Sequence, residues 1–190
     1  MGHLRLFFRT GLATLVMAVV TVGNATAPGA ADFSGKRLKF IIGFGVGPGL
    51  VSYTSSSRVG STDRENNRGV ATAFHIGGVI GDSFELYYMN KLIFWGSLRW
   101  TGVHGVGATY PLNSDFSING GIGSGLWEEI DFEHGAPSYS GLGLLAGGRY
   151  QLNESGRWML NLDIMYTKMG NDSFISDVLG AQLTINAMSH

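Results

Sequence analysis

The sequence predicts an all-β protein: an eight-stranded, antiparallel, up-and-down transmembrane β-barrel preceded by a cleaved signal peptide. Three observations lead to this fold class. Large apolar residues alternate with small or polar residues along most of the chain. Turn signals fall between the alternating runs. Charged residues make up only 14% of the sequence, against about 25% in an average soluble domain, and without cysteine no disulfide can stabilise an exported chain.

The N-terminal segment is predicted to be a signal peptide, residues 1–31. Arg5 and Arg9 precede an apolar run, and small residues follow at 25–31, an order that is typical of secretory signals. The apolar run is shorter than the roughly 20 residues that a membrane-spanning helix needs. We therefore expect residues 32–190 to form the exported barrel domain. Two of the 13 basic residues but none of the 14 acidic ones lie in the signal, which leaves a formal charge of −3 and does not favour nucleic-acid binding.

The first barrel strand shows the alternation most clearly. Phe40, Phe44 and Leu50 share one parity, whereas Lys39 and several glycines share the other. Phe94, Trp95 and the run at 103–107 break parity, which predicts a β-bulge in the third or fourth strand. Turn residues divide the chain into eight strands, predicted at 36–53, 69–80, 83–90, 98–110, 115–126, 138–151, 157–169 and 174–187.

The connections are predicted to alternate in length. Short turns are expected at 81–83, 111–115 and 153–156, and longer loops at 54–68, 90–98 and 127–138, with a briefer one at 170–173. Short turns at one end and long polar loops at the other are typical of the periplasmic and extracellular ends of an outer-membrane barrel.

The polarity of the two strand faces indicates which face meets lipid. The apolar face carries almost no charge, as expected for a lipid-facing surface, and the opposite face is polar and rich in glycine. Because charges out of water need partners, we expect the inward polar residues to form a network that plugs the barrel. Its predicted members are His75, Glu85, Asn119, Arg149, Asn161, Asp163 and Gln182.

Aromatic residues near the strand ends predict two interfacial girdles, one at each membrane surface. The residues assigned to these girdles are Tyr53, Phe84, Trp95, Trp100, Tyr110, Phe116, Trp127, Tyr139, Tyr150, Trp158, Tyr166 and Phe174.

Charged residues in two long loops are candidates for interactions. Arg58, Arg64 and Arg68 are predicted to lie in the first long loop, where they could contact lipopolysaccharide phosphates. The acidic residues Glu128, Glu129, Asp131 and Glu133 crowd the third long loop, but their spacing matches no defined metal-binding loop. We expect a solvated acidic tip there, without a metal or other cofactor.

With these features the chain resembles the small eight-stranded outer-membrane barrels, the group of the outer membrane protein A transmembrane domain and the opacity-type proteins. The resemblance covers about residues 36–187 and rests on pattern. It implies an outer-membrane location and contact with outer-membrane lipid, lipopolysaccharide and the outer-membrane assembly machinery, and a host or surface ligand is a further candidate partner. Residues 183–190 keep the alternation but lack the terminal aromatic residue usual in this group.

For function we expect a non-enzymatic outer-membrane barrel with a structural, adhesive or surface-interaction role carried by its long loops. One alternative is a lipid A-modifying acyltransferase or deacylase, since the resemblance includes such enzymes. However, His75 is expected to face the lumen, and neither His104 nor His134 has a serine in an evident paired motif. A narrow pore is a second alternative, although an eight-stranded interior is only just wide enough for side chains. A secreted, lipocalin-like ligand-binding barrel is the third, and it would need the apolar face inside.

Overall fold

The computed structural model describes residues 32–33, 36–37, 39–56, 62–80, 84–96, 98–130, 137–153, 157–170 and 174–189, and the predicted signal peptide lies outside them. No helix in this part of the chain is both long and apolar enough to cross a membrane. The chain divides into two compact units, one ending at Arg37 and one beginning at Leu38. In the first unit, β1 (Asp32–Phe33) pairs antiparallel with β2 (Lys36–Arg37).

The second unit is a closed antiparallel barrel of eight strands in which each strand pairs with the next along the chain. The last strand pairs with the first and closes the sheet. The predicted eight-stranded up-and-down barrel is therefore confirmed. The strands are β3 (Lys39–Ser56), β4 (Thr62–Ile80), β5 (Phe84–Trp95), β6 (Arg99–Pro111), β7 (Phe116–Glu129), β8 (Ser138–Gln151), β9 (Trp158–Met169) and β10 (Ile175–Ser189).

The barrel has two different ends. At the loop end lie the β3–β4, β5–β6, β7–β8 and β9–β10 connections. At the turn end lie the other three connections together with the start of β3 and the end of β10. The predicted strand bounds agree with the structure to within three residues, except at the start of β4 and the end of β5.

The predicted long loop at 54–68 is wrong, because most of it is strand. Residues 62–69 of β4 continue the ladder with β3, from Gly49↔Gly69 to Ser56↔Thr62, whereas pairing with β5 begins only at Val70↔Phe94. The hairpin β3–β4 therefore extends beyond the ladder that β4 shares with β5. The polar sequence of residues 62–69 predicted a loop, but backbone hydrogen bonding between strands does not require apolar side chains.

The predicted long loop at 90–98 and the bulge near it are also wrong. Strand β5 continues to Trp95, and its register with β6 is unbroken from Glu85↔Thr109 to Trp95↔Arg99. A tight connection follows, with Gly96 and Leu98 at positive φ, the region that a short reversal requires. The register shift in the described barrel occurs instead where β10 meets β3, between Ile175 and Asp177.

Side chains alternate between lumen and exterior as the sequence pattern predicts. In β3, Ile41 and Val51 are buried, whereas Phe44 and Leu50 are exposed by 42% and 55% of their surface. Glycines leave room for large inward neighbours: a Cβ at Gly107 would lie 2.5 Å from the Tyr87 ring. The lumen is thus filled by a few large side chains that face strands of small residues.

We predict that Gly105→Ala destabilises the barrel by about 1–3 kcal/mol through overpacking. A Cβ at Gly105 would overlap the carbonyl oxygen of Ile122 and the Cα of Gly123. Gly120→Ala is the matched control, because its Cβ would stand 3.5 Å from the carbonyl oxygen of Leu145, an ordinary contact. Urea denaturation in detergent micelles measures both free energies of unfolding. Equal stability of the two variants would contradict the overpacking.

Candidate functional site

The predicted interior residues are all buried in the barrel, none exposed by more than 8% of its surface. These residues, placed by the strand alternation on the inward face, are His75, Glu85, Asn119, Arg149, Asn161, Asp163 and Gln182.

Asp163 is the centre of the interior polar network. Its carboxylate accepts hydrogen bonds from Lys91 Nζ at 2.5 Å, Asn119 Nδ2 at 2.7 Å and Gln182 Nε2 at 3.1 Å. Lys91 is on β5 and Asp163 on β9, which are four strands apart in either direction round the barrel. The ion pair therefore connects opposite walls of the lumen.

Lys91 is the charged residue, among the described residues of the interior, that sequence reasoning missed. It is only 1% exposed, but the predicted loop at 90–98 removed it from the strand pattern. A signal was present, since Met89, Lys91 and Ile93 share the inward parity of Glu85 and all three are buried. A lysine among buried apolar residues of one parity requires a buried carboxylate partner.

A second ion pair lies closer to the turn end of the lumen. Arg149 Nη1 on β8 donates to Glu85 Oε2 on β5 at 2.6 Å, and both residues are buried. Nearby, His75 Nε2 lies 2.6 Å from Met188 Sδ. With Lys91 and Asp163 the lumen holds two opposed pairs whose charges cancel.

Part of the predicted aromatic girdle is wrong, because Tyr53, Trp95 and Trp127 point into the lumen. Each is exposed by at most 4%, and their ring centroids lie 5.9 to 6.5 Å apart. Tyr139 packs on Trp127 at 5.6 Å. These four residues form an aromatic cluster that fills the loop end of the lumen. The sequence analysis assigned them to the girdle because it did not apply strand parity to them.

The remaining predicted girdle residues lie on the outside. At the turn end the exposed members are Phe84, Tyr110, Phe116, Tyr150 and Trp158. At the loop end Tyr166 and Phe174 are exposed and Trp100 is half-buried against Phe94, with ring centroids 6.3 Å apart.

A pocket of about 200 Å³ opens at the rim above the aromatic cluster, lined among others by Tyr53, Trp127 and Tyr139. Charged groups surround it. Arg99 Nη2 lies 2.6 Å from Glu129 Oε1, and Tyr53 Oη donates to Glu65 Oε2 at 2.5 Å. Burial and the Glu65 carboxylate raise the pKa of Tyr53, which lies beyond the outward apolar residues of β3, to about 12. The phenol therefore stays a hydrogen-bond donor at neutral pH.

The predicted loop charges are divided among several places. Arg64 and Arg68 lie on β4, and Glu128 and Glu129 end β7. Arg58, Asp131 and Glu133 fall outside the described residues. Among the described residues, no group of three or more His, Asp or Glu side chains is arranged to hold a metal ion.

We predict that Lys91→Met costs about 3–5 kcal/mol of stability, because it leaves the buried Asp163 carboxylate without its cation. Arg99→Met is the control, since the Arg99–Glu129 pair is partly exposed and contributes at most about 1 kcal/mol. The double variant Lys91→Met/Asp163→Asn should recover part of the loss. Urea denaturation in detergent measures all three, and a similar cost for Lys91→Met and Arg99→Met would contradict the assignment.

Comparison with known proteins supports the fold. No protein-family model matches the sequence, and no curated protein sequence is significantly similar. The structure of Ail, the attachment invasion locus protein of Yersinia pestis, in complex with the heparin analogue sucrose octasulfate, matches with a TM-score of 0.55 and 14% identity. That alignment covers 80% of this chain and 99% of Ail.

The outer membrane protein OprG from Pseudomonas aeruginosa also matches, with a TM-score of 0.52, 14% identity and coverage of 80% of this chain and 97% of OprG. At such low identity the likeness shows the fold alone. The predicted resemblance is confirmed at that level: the chain has the fold of the small eight-stranded outer-membrane barrels.

Proposed function

We propose that the chain is an integral outer-membrane barrel with a plugged lumen and a structural, adhesive or surface-interaction role located at its loop end. The observation that carries this proposal is the belt of large apolar side chains on the outside of a closed sheet. Leu144, Leu162 and Ile164 are exposed by 42%, 56% and 53%, while Asn161 and Asp163, which alternate with Leu162 and Ile164 along β9, are fully buried. Water would penalise such a surface, whereas lipid tails solvate it.

The distribution of polarity argues against the soluble lipocalin-like alternative. A soluble barrel keeps its apolar face inside and exposes the polar one. Here the buried set includes Lys91, Arg149 and Asp163, and the exposed set includes Phe40, Phe44 and many aliphatic residues. This arrangement suits a lipid solvent outside and a small polar core within.

The lumen contents argue against the pore alternative. The Lys91–Asp163 pair joins opposite walls, the Arg149–Glu85 pair lies nearer the turn end, and the aromatic cluster occupies the loop end. Three successive obstructions leave little space for an aqueous path in an eight-stranded barrel.

The loop end offers a surface for anionic lipid. Arg64 and Arg68 share the outward parity of Val70 on β4, and they lie just beyond it toward the loop end. Arg64 Nε donates to Ser52 Oγ at 2.7 Å, which fixes the guanidinium on the outer face. Lipopolysaccharide phosphates lie at this level of the outer leaflet, so the two arginines are placed to bind them. The comparison protein Ail was crystallised with a polyanion, sucrose octasulfate.

We predict that nitroxide labels on the belt meet lipid. The chain has no cysteine, so each single-cysteine variant gives one labelling site. Leu144→Cys places the label on the belt, and Asn66→Cys places it on the part of β4 that pairs only with β3. In bilayers the label at residue 144 should collide with dissolved oxygen more than with a water-soluble nickel chelate, and the label at residue 66 should show the reverse. A label at residue 144 that prefers the nickel chelate would rule out membrane insertion.

We also predict that Arg64→Ala/Arg68→Ala weakens binding to vesicles containing lipopolysaccharide by about 1 kcal/mol per arginine at low salt. The effect should shrink as salt rises, because screening reduces surface attraction. Arg99→Ala is the control, since that guanidinium is paired with Glu129 at the rim. Unchanged binding by the double variant would remove the two arginines from the lipid contact.

A further inference from the structure

The pocket of about 200 Å³ at the loop end has aromatic rings in its lining. Tyr53 and Trp127 are almost fully buried, and their ring centroids lie 5.9 Å apart in an edge-to-face arrangement. Tyr139 is paired with Trp127 in the β7–β8 ladder and packs on its ring, and Phe174 adds a further ring. The pocket therefore presents aromatic rings, with their negative faces, to a ligand.

The aromatic lining is held in place by packing and by one hydrogen bond. Trp95 lies beneath it, with its ring centroid 6.1 Å from that of Tyr53 and 6.5 Å from that of Trp127. The phenol of Tyr53 donates to Glu65 at the rim. A ligand that enters such a pocket finds rings that are already ordered, so binding does not have to fix them.

Carboxylate charge exceeds positive charge in the described lining of the pocket. Glu65, Glu129 and Arg99 are the charged residues there, which gives one net negative charge. Arg99 Nη2 lies 2.6 Å from Glu129 Oε1, whereas Glu65 accepts its hydrogen bond from the neutral phenol of Tyr53. The excess charge therefore belongs to Glu65, beside an aromatic ring.

The two carboxylates have already used part of their hydrogen-bonding capacity. Glu65 Oε2 accepts from Tyr53, and Glu129 Oε1 accepts from Arg99 Nε at 2.8 Å. A primary ammonium or a sugar loses hydrogen bonds to water on entry and needs several new acceptors to replace them. A quaternary ammonium carries no N–H group and needs only negative charge and contact with ring faces, the combination by which aromatic pockets recognise it.

We propose that the loop-end pocket binds a quaternary ammonium group of the trimethylammonium type. Trp127 and Tyr139 contact its methyl groups, and Glu65 balances its charge. The inference deepens the proposed surface-interaction role by naming a ligand class, and it rests on that role in placing the pocket at the interacting end. The group occurs both in free amines such as choline and in phosphocholine headgroups, and the two sources are compared below.

The site is tested by nuclear magnetic resonance of the ¹⁵N-labelled protein, folded in micelles of a polyoxyethylene detergent that contains neither an ammonium group nor a sugar. The chain has four tryptophans, and each gives one indole N–H signal, assigned by its replacement with phenylalanine. On titration with choline we expect a saturable shift of the Trp127 signal. Trp158, which is exposed at the turn end, should not shift.

Matched ligands separate charge from shape. In 3,3-dimethylbutan-1-ol a carbon atom replaces the nitrogen of choline, so the molecule has the same shape without the charge. We expect it to bind at least about tenfold more weakly than choline, because the attraction between a cation and ring faces is lost. Methyl glucoside should produce no saturable shift.

Matched variants assign the residues. Glu65→Gln keeps an acceptor for the Tyr53 hydroxyl but removes the charge, and it should weaken choline binding about fivefold or more. Glu128→Gln removes the same charge from the outer face of β7 and is the control that should bind as the wild type does. Tyr139→Leu, at a half-buried position, should weaken binding about fivefold, and Arg99→Met should strengthen it.

Equal affinities for choline and 3,3-dimethylbutan-1-ol would overturn the inference, as would equal shifts of Trp127 and Trp158 or saturable binding of methyl glucoside alone. Binding of both choline and phosphocholine supports a ligand carried on a headgroup, and binding of choline alone supports a free amine. Binding of phosphocholine alone would place recognition on the phosphate and would contradict the charge argument.

The outcome is separable from that of the membrane proposal. If choline does not bind while the nitroxide at residue 144 reports lipid, only the ligand assignment fails. If choline binds while that nitroxide reports water, the membrane proposal fails and the pocket assignment stands.

Discussion

The narrowness of an eight-stranded barrel is the constraint on which the rest of the structure depends. Its interior has room for side chains and little else, so large inward residues need small neighbours, as Tyr87 needs Gly107 beside it on the adjacent strand. Any inward charge loses its water and must find an opposite charge inside. The Lys91–Asp163 and Arg149–Glu85 pairs satisfy this requirement. The side-chain amides of Asn119 and Gln182 also donate hydrogen bonds to Asp163, which stabilises its buried carboxylate further.

The exterior follows from the same geometry. A closed sheet with a polar interior has to place its apolar residues outside, which is stable only in a lipid solvent. The low content of charge and the abundance of glycine then have a common origin. Few charges are tolerated on a lipid-facing surface, and a narrow lumen that holds large side chains has room only for small residues packed against them.

Strand number, order and facing were predictable from the sequence, because an alternation of period two is a local property that survives folding. Two features were not. Residues 62–69 are polar and resemble a loop, yet they pair because ladders are formed by the backbone. Lys91 was excluded from the interior because a loop was predicted at 90–98, where the structure continues β5.

Ion conductance of the purified, folded protein in planar lipid bilayers shows whether paired charges and aromatic side chains fill the lumen from end to end. We expect the protein to insert without producing stable conductance steps, even in concentrated potassium chloride. Regular ohmic steps that grow with salt concentration would show an open aqueous path and would contradict the plugged lumen.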